Sequence, residues 1–209
     1  MDHAKLSMPI GEAMFTQRSI RRFKPDPIPA DVLQLLIEAA VRAPNGGNRQ
    51  VGRFLVLTDR ARIREFGALY REAWWAKRRD EGHPWKTRDE IPAHEKNHRS
   101  AAGLADHMKD VPCVVFALAA GNGPPNSVVP AAQNLMLAAR ALGLGSVPTT
   151  LHATVIDRFR ELFAIPKDVA FHFCIPLGYP ADGKFGGSIR RPTHDTTYFD
   201  RWDSPPPWK

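Results

Sequence analysis

Residues 111–150 read VPCVVFALAAGNGPPNSVVPAAQNLMLAARALGLGSVPTT, and Arg140 is the sole charged side chain among them. A stretch this long without charge belongs inside a protein. PCVVFALA reads as a buried strand, GNGPPNS as a turn, and VVPAAQNLMLAARAL as a buried helix that Gly143 can cap at its C-terminus. This strand and helix are expected to form the centre on which the rest packs.

Upstream, residues 10–16 suit a short helix. Pro29 and Asp31 introduce an amphipathic helix with Leu33, Leu36, Ile37, Ala40 and Val41 on one face, ending at APNGG. FLVLT follows as a strand, and Asp59 can cap a helix whose apolar positions are Ile63, Phe66, Tyr70 and Ala73. From there AWWAKRRDEGHPWKTRDEIP is polar, aromatic and irregular, so residues 70–100 are read as a lid-like excursion, before a short helix over 101–108. Downstream, a helix is expected over 153–163. In VAFHFCIPLGY, Val169, Phe171, Phe173 and Ile175 alternate as a half-buried strand should, with His172 on the other face. Residues 180–209 are rich in Gly, Pro and polar residues and are read as a C-terminal arm, either disordered or laid over another surface. No linker divides the 209 residues, which suit a single domain or one protomer of an oligomer.

The formal charge of +7 would suit nucleic acid, a membrane surface or an anionic ligand. Its distribution argues against the first, since acidic residues such as Asp80, Glu81, Asp89 and Glu90 interrupt each basic run, including the tryptophan-bearing WWAKRR and HPWK. The longest apolar run is too short to span a bilayer and MDHAKLSMPI lacks a signal peptide's apolar stretch, so a soluble, cytoplasmic protein is expected. Cys113 and Cys174 sit in apolar surroundings without CxxC spacing, as buried reduced thiols.

The densest cationic stretch is QRSIRRFKPDP, residues 17–27, with Arg18, Arg21, Arg22 and Lys24. Such a cluster is more often a solvated surface than a site. Its place between a short helix and a Pro-rich connector, where backbone amides and Ser19 could join the guanidiniums around a phosphate, favours an anion. RSIRRF, followed by P-x-P-x-x-x-L-x-x-L-I-E-A-A-x-x-A-P-x-G-G-N-x-Q, then AAQNLMLAARALGLGS, PLGYP and RRP, resembles the FMN-dependent nitroreductase family over residues 14–192.

That resemblance implies an α+β fold, with a mixed, largely antiparallel central sheet between helices in three layers, and an intertwined homodimer with flavin sites at its interface. It implies bound FMN, NADH or NADPH as co-substrate, and hydride transfer through flavin N5 to a nitroaromatic or quinone by a ping-pong route. Reductive dehalogenation, alkene reduction and flavin fragmentation are alternatives on the same scaffold. Gln17, Arg18 and Ser19 would lie at the phosphate and ribityl end; many relatives carry arginine where this chain has Gln17. Arg21 would approach the pyrimidine edge, where reduction leaves negative charge. Pro44, Asn45, Gly46 and Asn48 would reach the flavin of the other protomer. Pro148, Thr149, Thr150 and Leu151 would run beside the ring, and Arg190 or Arg191, more readily Arg190, would add a phosphate contact. Phe66, Tyr70, Trp74, Trp75 and Trp85 are candidate walls for a planar substrate, with core packing the stronger reading for Phe66 and Tyr70.

One rival motif stands outside this scheme. HEKNH, residues 94–98, satisfies the H-E-x-x-H zinc-protease pattern. Its polar flanks, Pro92 just before it and the lack of a third ligand downstream make it a coincidental pattern on a solvated helix, and no metal is expected.

Overall fold

A computed structural model describes residues 3–208. The described residues form one sheet of four strands, β1 (Gly52–Leu57), β2 (Cys113–Ala119), β3 (Gly145–Ser146) and β4 (Ala170–Gly178), in the order β1-β2-β4-β3 with antiparallel neighbours. Around it lie α1 (Ile10–Thr16), α2 (Ala30–Val41), α3 (Arg60–Asp80), α4 (Lys96–His107), α5 (Val129–Ala141) and α6 (Ile156–Phe163).

β2 is buried along its whole length, and its alternate side chains feed two cores. Cys113, Val115, Ala117 and Ala119 pack towards α2 and α5, with Leu36, Ala40, Leu135 and Ala139. Val114, Phe116 and Leu118 face Phe66, Tyr70, Leu104 and Phe159 of α3, α4 and α6. The result is the expected three-layer α+β arrangement, with helices on both faces of an antiparallel sheet. α5 ends as its sequence requires: Gly143 takes φ +74°, and the Leu144 amide donates to Ala139 O at 2.8 Å.

Three local expectations change. The helix read as ending near Ala73 continues to Asp80, because Ala73, Ala76 and Arg78 extend its buried face through the basic WWAKRRD. α4 begins at Lys96, ahead of the expected Ala101. In β4 the register slips between Ala117/Phe173 and Leu118/Phe171, leaving His172 as the extra residue of a bulge. Val169 and Phe171 therefore pack on the α3/α6 side, while Phe173, Ile175 and Leu177 pack on the α2/α5 side, so the alternating residues do not share one face. His172 Nε2 lies 3.1 Å from Gly123 O.

The stretch 17–24 adds itself to the sheet edge. Ser19 makes a parallel bridge with Ser146, the Ile20 amide donates to Ser146 O at 3.0 Å, and Phe23 bridges Pro180. This parallel contact is the mixed component of the sheet. Glycine permits it: a Cβ on Gly145 would stand 2.6 Å from the nearest Ile20 side-chain atom. No described helix is long and apolar enough to cross a membrane.

Candidate functional site

Stitching 17–24 to β3 brings the basic motif beside the ends of α5 and the 146–148 loop. Gln17, Arg18, Ser19, Pro148 and Arg190 line one cavity of about 430 Å³ together with Gln133, Met136, Ser146 and Ser188. Residues separated by most of the chain thus converge, with two guanidiniums and three hydroxyls facing a space in the size range of small-molecule sites. Arg18 is positioned by Lys184 O at 3.3 Å and by Asp182, whose carboxylate lies 3.8 Å away. Asp182 is held below the usual carboxylate range, chiefly by the Lys184 amide and further by Arg18. The Gln133 amide donates to Gln17 Oε1 at 2.9 Å, tying the motif to α5.

Arg140 braces the same end. Its Nε donates to Thr16 Oγ1 at 2.8 Å, its guanidinium approaches Glu12 at 3.4 Å, and it lies 4.1 Å above the Phe185 ring. The one charge of the central run therefore joins α1 to the C-terminal segment.

Arg21 stands apart from that cavity. It is half-buried beside Tyr70; burial lowers its pKa, and the tyrosine partly offsets this. Tyr70 in turn is buried in the core, its hydroxyl 2.9 Å from Thr149 Oγ1, with its pKa raised by burial and then by Cys174. Thr149 is pinned on both sides: its amide donates to Cys174 O at 3.0 Å and its carbonyl accepts from Cys174 N at 2.8 Å. Thr149 thus spends its amide and hydroxyl within the protein, Thr150 is exposed, and Leu151 packs against the α3/α6 core.

The second proposed group lies elsewhere. Asn45 lines a separate depression of about 210 Å³ with Gln50, Arg53 and Ser127. Asn45 Oδ1 accepts from Gln50 N at 2.8 Å, and Gly46 N donates to Ser127 Oγ at 3.2 Å, while Pro44 and Asn48 are exposed. Within one chain these residues do not line the cavity of Arg18. Arg191 is exposed and does not line it either.

The aromatic candidates divide. Phe66 is fully buried, edge-on to Phe116 at 4.8 Å, and serves the core. Trp75 is buried and meets Trp74 edge-on at 4.6 Å; Trp74 is half-buried under the Arg78 guanidinium at 5.2 Å. Trp75 Nε1 and Arg78 Nε are buried without a hydrogen-bond partner among the described residues. Trp85 stacks on His83 at 4.1 Å.

HEKNH does not form a zinc-protease face. His94 lies before α4 with an 82% exposed side chain, and His98 Nδ1 is 2.9 Å from Glu95 Oε2. Sequence reasoning missed Gln133, Met136, Ser146 and Ser188. The first three lie inside the run AAQNLMLAARALGLGS used above, but which of its side chains turn to the cavity depends on the helix's rotation against α1.

A basic cleft at the edge of an antiparallel sheet, lined by residues 14–19, by α5 and by Ser188 and Arg190, has the charge and the donors to receive a small anionic ligand. The nitroreductase family model matches residues 15–179, and the chain belongs to the nitroreductase family. It is 30% identical to an NADH dehydrogenase of Thermus thermophilus, over 81% of this chain and 86% of that protein. It is 27% identical to an iodotyrosine deiodinase of Thermotoga neapolitana, over 80% and 87%. Among solved structures, a nitroreductase with bound FMN from Bacteroides fragilis superposes with a TM-score of 0.69 at 19% identity, over 92% of this chain and all of that one.

Proposed function

We propose that this chain is an FMN-dependent oxidoreductase that takes reducing equivalents from NADH or NADPH and delivers them to an oxidised acceptor such as a nitroaromatic or quinone. The observation that carries the reading is the convergence of Arg18, Ser19 and Arg190 on one cavity, a donor set suited to a dianionic phosphate. When bound, the flavin supplies two-electron transfer through N5.

The protein's part is to hold, orient and polarise. Arg18 and Arg190 neutralise the phosphate, with Ser19 and Gln17 beside them. Arg21, partly desolvated, presents a fixed positive charge where the pyrimidine edge gains electron density, an effect that grows as water is excluded. The 148–151 segment is stiffened by Cys174 and Tyr70, so that Thr150 offers its groups from a rigid support. Trp74 and Trp85 remain available as walls for a planar acceptor.

The working unit in this reading is a homodimer, in which Pro44, Asn45, Gly46 and Asn48 complete the partner's site. Support comes from their separation from the Arg18 cavity and from large exposed apolar side chains: Phe15 is 80% exposed and Trp202 75%. Such side chains suit burial between subunits. Cytoplasmic residence completes the proposal.

The test is reconstitution. Chain freed of cofactor is titrated with FMN and then assayed with NADH and NADPH against nitroaromatic and quinone acceptors. Stoichiometric uptake with parallel double-reciprocal plots is expected; failure to take up FMN in excess overturns the reading. The deiodinase relative favours reductive dehalogenation as a second reading, supported if a halogenated phenol releases halide in the same assay and rejected if it does not.

A further inference from the structure

Away from the cleft, one group of side chains has the donor set of a metal centre. Glu81 follows α3, His83 lies in the next turn, and His98 is in the first turn of α4. Each offers one ligand atom, and these atoms lie within 4.8 Å of one another. Donors around a tetrahedral ion with bonds of about 2.0–2.2 Å stand roughly 3.4 Å apart. Small shifts of the two imidazoles towards the Glu81 carboxylate, which keeps its hydrogen bond to Arg78, close the remaining gap.

The surroundings support an ion. Glu95 holds the His98 ring through Nδ1 at 2.9 Å, a carboxylate–histidine pairing of the kind that orients metal-bound imidazoles. His83 stacks on Trp85 with planes 12° apart, and its ring centroid is 5.1 Å from that of His98. Arg78 donates to Glu81 at 2.9 Å, fixing this carboxylate next to His83 Nε2, which is 3.8 Å from it. Two carboxylates against one guanidinium leave the cluster anionic when the histidines are neutral.

We infer that Glu81, His83 and His98 bind a zinc-class divalent ion that clamps the end of α3 to the start of α4 across residues 81–98. Two imidazoles and one carboxylate favour Zn²⁺ and its first-row neighbours over Mg²⁺ or Ca²⁺, which prefer all-oxygen shells. One coordination position is left for water. The inference needs no flavin and does not depend on the proposed oxidoreductase activity. It also reassigns HEKNH: His98 belongs to the site through a fold contact with His83, and His94 does not.

The test uses the full-length, tag-free chain, stripped by a chelator and titrated with ZnCl₂ by calorimetry and tryptophan emission. One equivalent bound in the micromolar range or tighter, with a change in emission through the His83–Trp85 stack, is expected. His83→Ala and His98→Ala should abolish this, Glu95→Gln should weaken it by about tenfold or more, and His94→Ala should leave it unchanged. Zinc-edge X-ray absorption of the unmodified protein, which requires no variant to fold, should count two imidazoles. No saturable binding below about 100 µM, a scale set by ordinary weak association, would overturn the inference. So would a site lost in His94→Ala but kept in His83→Ala.

Discussion

The hydroxyls of Tyr70 and Thr149 lie 2.9 Å apart and join α3 to the loop after β3, across 79 residues of sequence. Tyr70 is buried, so its hydroxyl has few other partners, whereas Thr149 is half-buried. Thr149→Val should therefore cost more than Tyr70→Phe: about 1–3 kcal/mol for stranding a buried hydroxyl against about 1 kcal/mol for losing the bond. Urea denaturation of both variants and of the double variant checks the order, and equal costs would contradict it.

Arg18 and Arg190 face the cavity, and Arg191 does not. Removing a guanidinium that binds phosphate should forfeit about 1.5–3 kcal/mol, or roughly 10- to 100-fold in FMN affinity. Arg18→Ala should also lose preference for FMN over riboflavin, which lacks the phosphate. Arg191→Ala should bind as the parent does. Fluorescence titration with both flavins distinguishes these outcomes.

Gly145 lets the 17–24 stretch lie against β3. A methyl group there would meet Ile20 at Cγ2, Cβ and Cγ1, between 2.6 and 2.9 Å away. Gly145→Ala should destabilise by about 1–3 kcal/mol through overpacking and should weaken FMN binding more than a distant substitution of equal cost. Thermal melts with and without FMN measure both effects.

Burial pushes the Cys113 thiol up to about 12 and raises Cys174 in the same direction. In the unfolded chain a thiol ionises near about 8.5. Below that pH both states keep the proton and stability is unaffected. Above it the unfolded state releases protons first, so stability falls as pH rises towards the folded value, by up to about 1.4 kcal/mol per pH unit for each thiol. Cys113→Ala should flatten this alkaline slope between about pH 9 and 11. Denaturation midpoints across that range provide the check.

The C-terminal arm carries Tyr198, Phe199, Trp202 and Trp208 with much of their surface exposed. If these side chains cover a partner subunit in the proposed homodimer, truncation after Pro192 should leave the chain monomeric in sedimentation. An unchanged dimer would show that the arm does not hold it together.

Much of this architecture is legible in sequence because burial there follows strict periodicity. β2 announces itself through the absence of charge, α5 through an apolar run broken only by Arg140, and α2 through Leu36 and Ala40. The end of α3 is hidden because helix-compatible Lys and Arg cover a face whose buried side is carried by small Ala73 and Ala76. The bulge at His172 is set by pairing with β2, and no residue type marks it. Arg18 and Arg190 can be singled out by their motifs. Their meeting with Gln133 and Ser188, like that of His83 with His98, depends on distances between segments remote in the chain.

Arg140 links Glu12 and Thr16 with Phe185, and Arg190 lies beside Arg18. The cleft consequently cannot be assembled during synthesis until the segment carrying Arg190 has emerged from the ribosome. Pairings this remote in sequence are late events in folding. Any ligand that needs both guanidiniums can then bind only after residue 190 has joined the fold, so loading follows the making of the central sheet rather than guiding it.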